Sequence, residues 1–138
     1  TNNFDNVIAF QMAVGSKNSK VKLLLSQDAG EHQISDNGHI DVDCIRLDDY
    51  IKSADFIKLD VEGYEKKVLE GGRSLLKDKS LNALVIEVSK HCERYGDKIE
   101  DVFDILINLG FSPYHYNPFN RDLIAFENGE KIIEQNII

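Results

Sequence analysis

The sequence predicts an α/β fold: the C-terminal part of a mostly parallel, doubly wound sheet, ending in an antiparallel hairpin. Two short apolar stretches, DFIKLD (55–60) and NALVIEVS (82–89), read as strands. A stretch with helical periodicity follows each of them. Two further strand-like stretches, FSPYHY (111–116) and DLIAFE (122–127), flank the turn residues NPFNR (117–121) and make the hairpin.

The other elements fit around that frame. VIAFQMAV (7–14) has no helical polar face and reads as a buried strand. GSKNSK (15–20) is turn material, and VKLLLS (21–26) is a second short strand. Residues 27–39, with Gly30 and Gly38, form a loop. Between 40 and 46, Ile40, Val42 and Cys44 alternate with Asp41 and Asp43, the pattern of a half-exposed strand. LDDYIKS (47–53) makes a short helical turn started by acids. A helix is expected from near Glu62 toward Leu69, interrupted at Gly71-Gly72, with a further turn through Leu76. Asp97 and Glu100 have capping-box spacing. The helix behind them buries Ile99, Val102, Phe103, Leu106 and Leu109, and Gly110 stops it. The tail EKIIEQNII is ambiguous between helix and strand.

Composition bounds the function. A length of 138 residues suits one domain, and 42% apolar with 29% charged residues marks a globular chain. A net charge of −8 argues against nucleic acid and anionic membrane surfaces as partners, since both recruit Lys and Arg. No apolar run approaches the roughly 20 residues of a membrane helix, and TNNFDN at the start is no signal peptide. Cys44 and Cys92 lack metal-site spacing, and so few cysteines fit a reducing cytoplasm. A nucleotide-binding α/β sheet normally opens with a strand, a Gly-rich turn and a helix. Gly15, Gly30 and Gly38 are too scattered to make that turn, so the chain is expected to be N-terminally incomplete. An incomplete sheet leaves an edge that can pair with a second copy, a route to a homo-oligomer.

The chemistry concentrates in IKLDVEGYE (57–65). Asp60 ends a buried strand, and open α/β sheets bind ligands outside the carboxyl ends of their strands. Glu62 starts the following helix, where the dipole favours negative charge, and Gly63 permits a tight turn or close approach. The competing reading makes both acids simple helix caps. Glu87 ends the apolar run LVIE; if its strand adjoins the first, it reaches the same rim as Asp60. A salt bridge to Lys58 or Lys90 would explain it equally. His91 follows on the exit loop as a weaker candidate base. Cys92 beside it lacks the orienting group of a thiol nucleophile. Asp48 and Asp49 read better as solvated dipole partners than as cation ligands. In a receiver-type alternative, Asp60 would accept a phosphoryl group, but no acidic pair ends an early strand.

The stretch IRLDDYI…ADFIKLDVEGYEKKVLEGGRSLL…LNALVIEVS is similar to the FkbM methyltransferase family. Leu47, Asp48, Asp49, Lys58, Leu59, Asp60, Val61, Glu62, Gly63, Glu65, Val68, Leu69, Gly71 and Glu87 match its pattern, and FQMAVG (10–15) resembles its preceding strand. The resemblance implies a Rossmann-like fold that transfers a methyl group from S-adenosylmethionine to a hydroxyl of a sugar, glycolipid or natural product. With that reaction, Asp60 is assigned to the methyl-transfer centre and Glu62 and Glu87 to orienting or deprotonating the acceptor, with His91, outside the matched pattern, a weaker candidate base. Asp60, Ala13 and Val14 would bind the cofactor, the last two walling the adenine. The family's Gly-rich cofactor loop has no match in this chain. A divalent cation between Asp60 and Glu87 is compatible with the residues but not demanded by them. Tyr95, Tyr114 and Tyr116 carry rings that can stack on a sugar face, although aromatic residues near a hairpin are more often core.

Overall fold

The computed structural model describes residues 5–26, 32–127 and 135–138, with Gln135 and Asn136 described as backbone alone. Among the described residues, the strands form three small sheets. The first is mixed and four-stranded: β1 (Ala13–Val14), β2 (Ser19–Leu24), β3 (Gln33–Ile34) and β4 (Ile40–Ile45), in the order β1-β4-β2-β3. Here β1 runs parallel to β4, while β2 is antiparallel to both β3 and β4.

A short helix, α1 (Leu47–Tyr50), leads to β5 (Phe56–Leu59). Helix α2 (Glu65–Gly71) and a 3₁₀ turn at Leu75–Lys77 follow, then β6 (Ala83–Val88). After a 3₁₀ segment at Lys90–Tyr95 comes α3 (Ile99–Asn108). The hairpin β7 (Tyr114–Asn117) and β8 (Asp122–Ala125) and a final strand, β9 (Gln135–Ile137), complete the chain. Strand β6 is central, parallel to β5 and antiparallel to β9. The hairpin joins this sheet through Tyr114 and Ile138, whose backbones exchange hydrogen bonds of 2.8 and 3.1 Å.

The main core lies on one face of the β5-β6-β9 sheet. Leu59, Leu84, Ile86, Val88 and Ile137 meet Val68 and Leu69 of α2 and Val102, Phe103 and Leu106 of α3. Each fully buried side chain of this kind stabilises the fold by roughly 1.5–3 kcal/mol. The alternate residues Phe56, Lys58 and Asp60 point the other way and are exposed.

Several expectations need correcting. The architecture is mixed α/β, but the described strands do not form one doubly wound parallel sheet. Parallel pairing is confined to β1 with β4 and β5 with β6, and the first sheet is mixed. Residues 7–14 are not one buried strand, because only Ala13 and Val14 find a partner; Val7, Ile8 and Phe10 are 63%, 79% and 54% exposed. Helix α2 starts at Glu65 rather than near Glu62. The cap of α3 is shifted by one residue: the Lys98 N–H donates to Asp101 at 3.1 Å, and Asp97 turns inward instead. Gly110 does end that helix, in the left-handed region at φ 95°. Of the predicted loop 27–39, residues 27–31 lie outside the described part, and Gln33–Ile34 pair with β2. Residues 128–134 of the tail also lie outside it.

Candidate active site

The register of β5 on β6 carries the site. Leu59 pairs with Ile86, so Asp60 and Glu87 are the next residues along two neighbouring parallel strands. Alternation turns both away from the core. The Lys58 ammonium stands 2.8 Å from the Asp60 carboxylate. Its pKa is raised, chiefly by the hydrogen bond to Asp60 and that group's charge, and Glu87 adds to the effect. The lysine is therefore the direct counter-ion of Asp60.

Beyond Asp60 the chain makes a left-handed turn, with φ 52° at Glu62 and 96° at Gly63. A side chain at position 63 would be strained, and it would also collide with the neighbouring loop. A Cβ there would lie 2.6 Å from the Cys92 nitrogen and from the His91 carbonyl oxygen. Glycine lets this turn press backbone to backbone against the segment leaving β6. One result is that the Glu62 Oε2 comes within 2.9 Å of His91 Nδ1. The His91 N–H also donates to the Ser89 hydroxyl, at 3.3 Å.

The four residues proposed for catalysis thus form two pairs, Asp60 with Glu87 and Glu62 with His91. Only Val61 separates the first pair from the second along one strand exit, and Val88 to Lys90 along the other. Ala13 and Val14 are placed elsewhere. They pair with Cys44 and Ile45 in the four-stranded sheet, and Val14 packs against the core. Helix α2 connects the two regions: its Gly71 abuts the backbone of Gly15 and Ser16, and Tyr64 at its start also lies against Gly15.

Three acids have roles that the sequence reading did not assign to them. Glu65 is 2% exposed and accepts the Gly63 N–H at 3.0 Å. Its position was legible, because Glu65, Val68 and Leu69 share a helix face by their spacing. Asp97 is 5% exposed and pairs with Lys66 at 2.8 Å, pinning the start of α3 to α2. Asp48 is no solvated dipole partner: its carboxylate accepts the N–H groups of Ser74 at 3.0 Å and Leu75 at 2.9 Å. Asp49 instead accepts from the Asn18 amide at 2.8 Å.

Two further observations bear on chemistry. Burial raises the Cys92 thiol pKa, and the nearby Glu65, Glu93 and Asp97 charges add to this, so the group stays a protonated thiol. A cavity of about 540 Å³ opens at the start of β6, between the end of α3 and β7. Asn82, Leu84, Phe103, Leu106, Phe111 and Tyr114 are among its lining residues; Asp60, Glu62, Glu87 and His91 are not. Among the described residues, no group of three or more His, Cys, Asp or Glu is placed to hold a metal ion. No described helix is long and apolar enough to cross a membrane.

The fold is mixed α/β, with the carboxylates of Asp60 and Glu87 at the ends of two adjacent parallel strands. Residues 2–113 match the methyltransferase FkbM domain. The chain belongs to the FkbM methyltransferase family. Neither the curated proteins nor the solved structures contain a match to it.

Proposed function

We propose that the protein is an S-adenosylmethionine-dependent O-methyltransferase acting on a hydroxyl of a sugar, glycolipid or natural product. The observation that carries this reading is the parallel register that sets Asp60 beside Glu87 at one rim, next to the Glu62–His91 pair. The donor set fits the cofactor's charges. Asp60 suits its cationic sulfonium group, and the Lys58 ammonium suits its carboxylate. Ala13 and Val14 offer small apolar surface for the adenine.

When bound, the cofactor supplies an electrophilic methyl group on a positively charged sulfur. The protein's task is then to hold the acceptor oxygen in line with that methyl, and positioning of this kind supplies ~7–11 kcal/mol. Asp60 stands at the transfer centre, with Glu87 orienting the acceptor hydroxyl beside it. Glu62 holds His91 by Nδ1, which leaves Nε2 as the atom to take the hydroxyl proton. General-base assistance of this kind contributes roughly 10²–10⁴-fold. The test is methyl transfer from labelled S-adenosylmethionine to a panel of glycosides and hydroxylated natural products. Asp60→Asn and Glu87→Gln should each lose most turnover while still folding; near-native turnover in both removes the assignment.

A second reading, a non-catalytic scaffold that keeps the fold without binding the cofactor, draws on the cavity, which lies away from the acids. Titration calorimetry with S-adenosylmethionine separates the two. Binding heat that disappears in Asp60→Asn supports the enzyme, and no heat even with an upstream Gly-rich segment joined to the chain supports the scaffold.

A further inference from the structure

Glu65 is an acid where an acid is costly. It lies on the inward face of α2, beside Val68 and Leu69, with 2% of its surface exposed. Burying a carboxylate is unfavourable unless donors converge on it. Here they do: the Gly63 N–H donates at 3.0 Å, and the N–H groups of Val61 and of Glu65 itself also act on it. Burial pushes the carboxyl pKa up, and those backbone donors oppose the shift. Val61 and Gly63 bracket Glu62, so the donors belong to the segment whose left-handed geometry aims Glu62 at His91. A non-glycine residue at φ 52° persists only where its surroundings over-determine it. Gly63 packing on His91 and Cys92 is one restraint, and the Glu65 carboxylate is the other.

We propose that Glu65 is a positioning residue, whose buried carboxylate clamps the left-handed Glu62–Gly63 turn and so sets Glu62 against His91. This deepens the function proposed above and rests on it. Glu65 faces inward and touches no reacting atom; it acts through Glu62.

The test reads the turn directly, in the protein without ligands. Amide hydrogen exchange follows the Gly63 N–H, and long-range proton–nitrogen spectra follow the His91 ring. In Glu65→Leu, Gly63 exchange should accelerate about tenfold or more. The His91 Nδ1 resonance should move to its position in Glu62→Gln. Glu65→Gln keeps an acceptor oxygen and should restore the His91 signal. If Glu65→Leu does not fold, Glu65→Asp decides, because its shortened side chain must also release Gly63. Unchanged Gly63 exchange and an unchanged His91 signal in a folded Leu or Asp variant overturn the proposal. Methyl transfer is measured separately on the same variants. A displaced His91 signal with undiminished transfer leaves the clamp standing and sinks the catalytic role of the Glu62–His91 pair.

Discussion

The Glu62 carboxylate meets Nδ1 of His91 at 2.9 Å across 29 positions of sequence. The contact joins the exits of the two parallel strands, and it fixes which ring nitrogen faces the protein. With Nδ1 engaged, Nε2 is the nitrogen left for an acceptor.

Glu62→Gln and His91→Gln should each lower kcat for methyl transfer by about 10²-fold with KM little changed, as expected when a general base is lost. Both side chains are only partly buried. Urea unfolding of either variant should stay within about 0.5 kcal/mol of the native protein. A large KM change with kcat preserved would move these residues from proton transfer to binding.

Gly63→Ala should destabilise the fold by at least about 2 kcal/mol, combining left-handed strain with overpacking. The new Cβ meets main chain at Cys92 and His91, which cannot rotate away as a side chain would. The urea midpoint measures the loss, and a midpoint equal to the native one contradicts the close approach.

Asp48 should support stability on the acid side. Burial alone would raise its pKa, but the Leu75 and Ser74 N–H groups, with Arg46 nearby, outweigh it and hold it below 3.8. A depressed carboxyl pKa means that the unfolded chain binds the proton first as pH falls. Its contribution is thus complete above about pH 4 and lost as pH drops through the folded value. Asp48→Ala should cost about 1–3 kcal/mol at neutral pH and flatten this acid limb of the stability curve.

Lys66 should act at the alkaline end. Hydrogen bonds to Asp97 and Asp101 raise its pKa well above 10.5. A raised lysine pKa gives stability that is present below 10.5 and disappears as pH climbs through the folded value. Lys66→Met should remove that alkaline dependence. Asp97→Asn should cost about 1–3 kcal/mol, as for a buried hydrogen-bonding partner. Among the described residues the Asp97 Oδ2 takes no hydrogen bond, although the Lys67 ammonium stands 3.4 Å away. Lys67 therefore contributes charge, and Lys66 contributes the bond.

Much of this organisation was legible in the residues. The apolar runs ending at Asp60 and near Glu87 specify two strands, and their adjacency follows from a crossover through α2. The stripe of α3 and its stop at Gly110 were equally plain. What escaped depends on contacts across the chain. The start of α2 moved because Glu62 and Gly63 adopt a left-handed turn supported by Glu65 and the His91 loop, and local propensity contains neither. Asp97 had the spacing of a cap, but two lysines of α2 drew it inward. Asp48 caps a turn that begins 26 residues later, a partner no local window includes. The apolar run 7–14 carried a strand signal, yet only its last two residues meet a neighbouring strand.

At its C-terminal end α2 meets the first sheet through main chain. Gly71 rests on Gly15 and Ser16 with no side chain of its own between them. At this point the spacing of the two layers is set by backbone contact. One added methyl group at position 71 would act as a wedge between them.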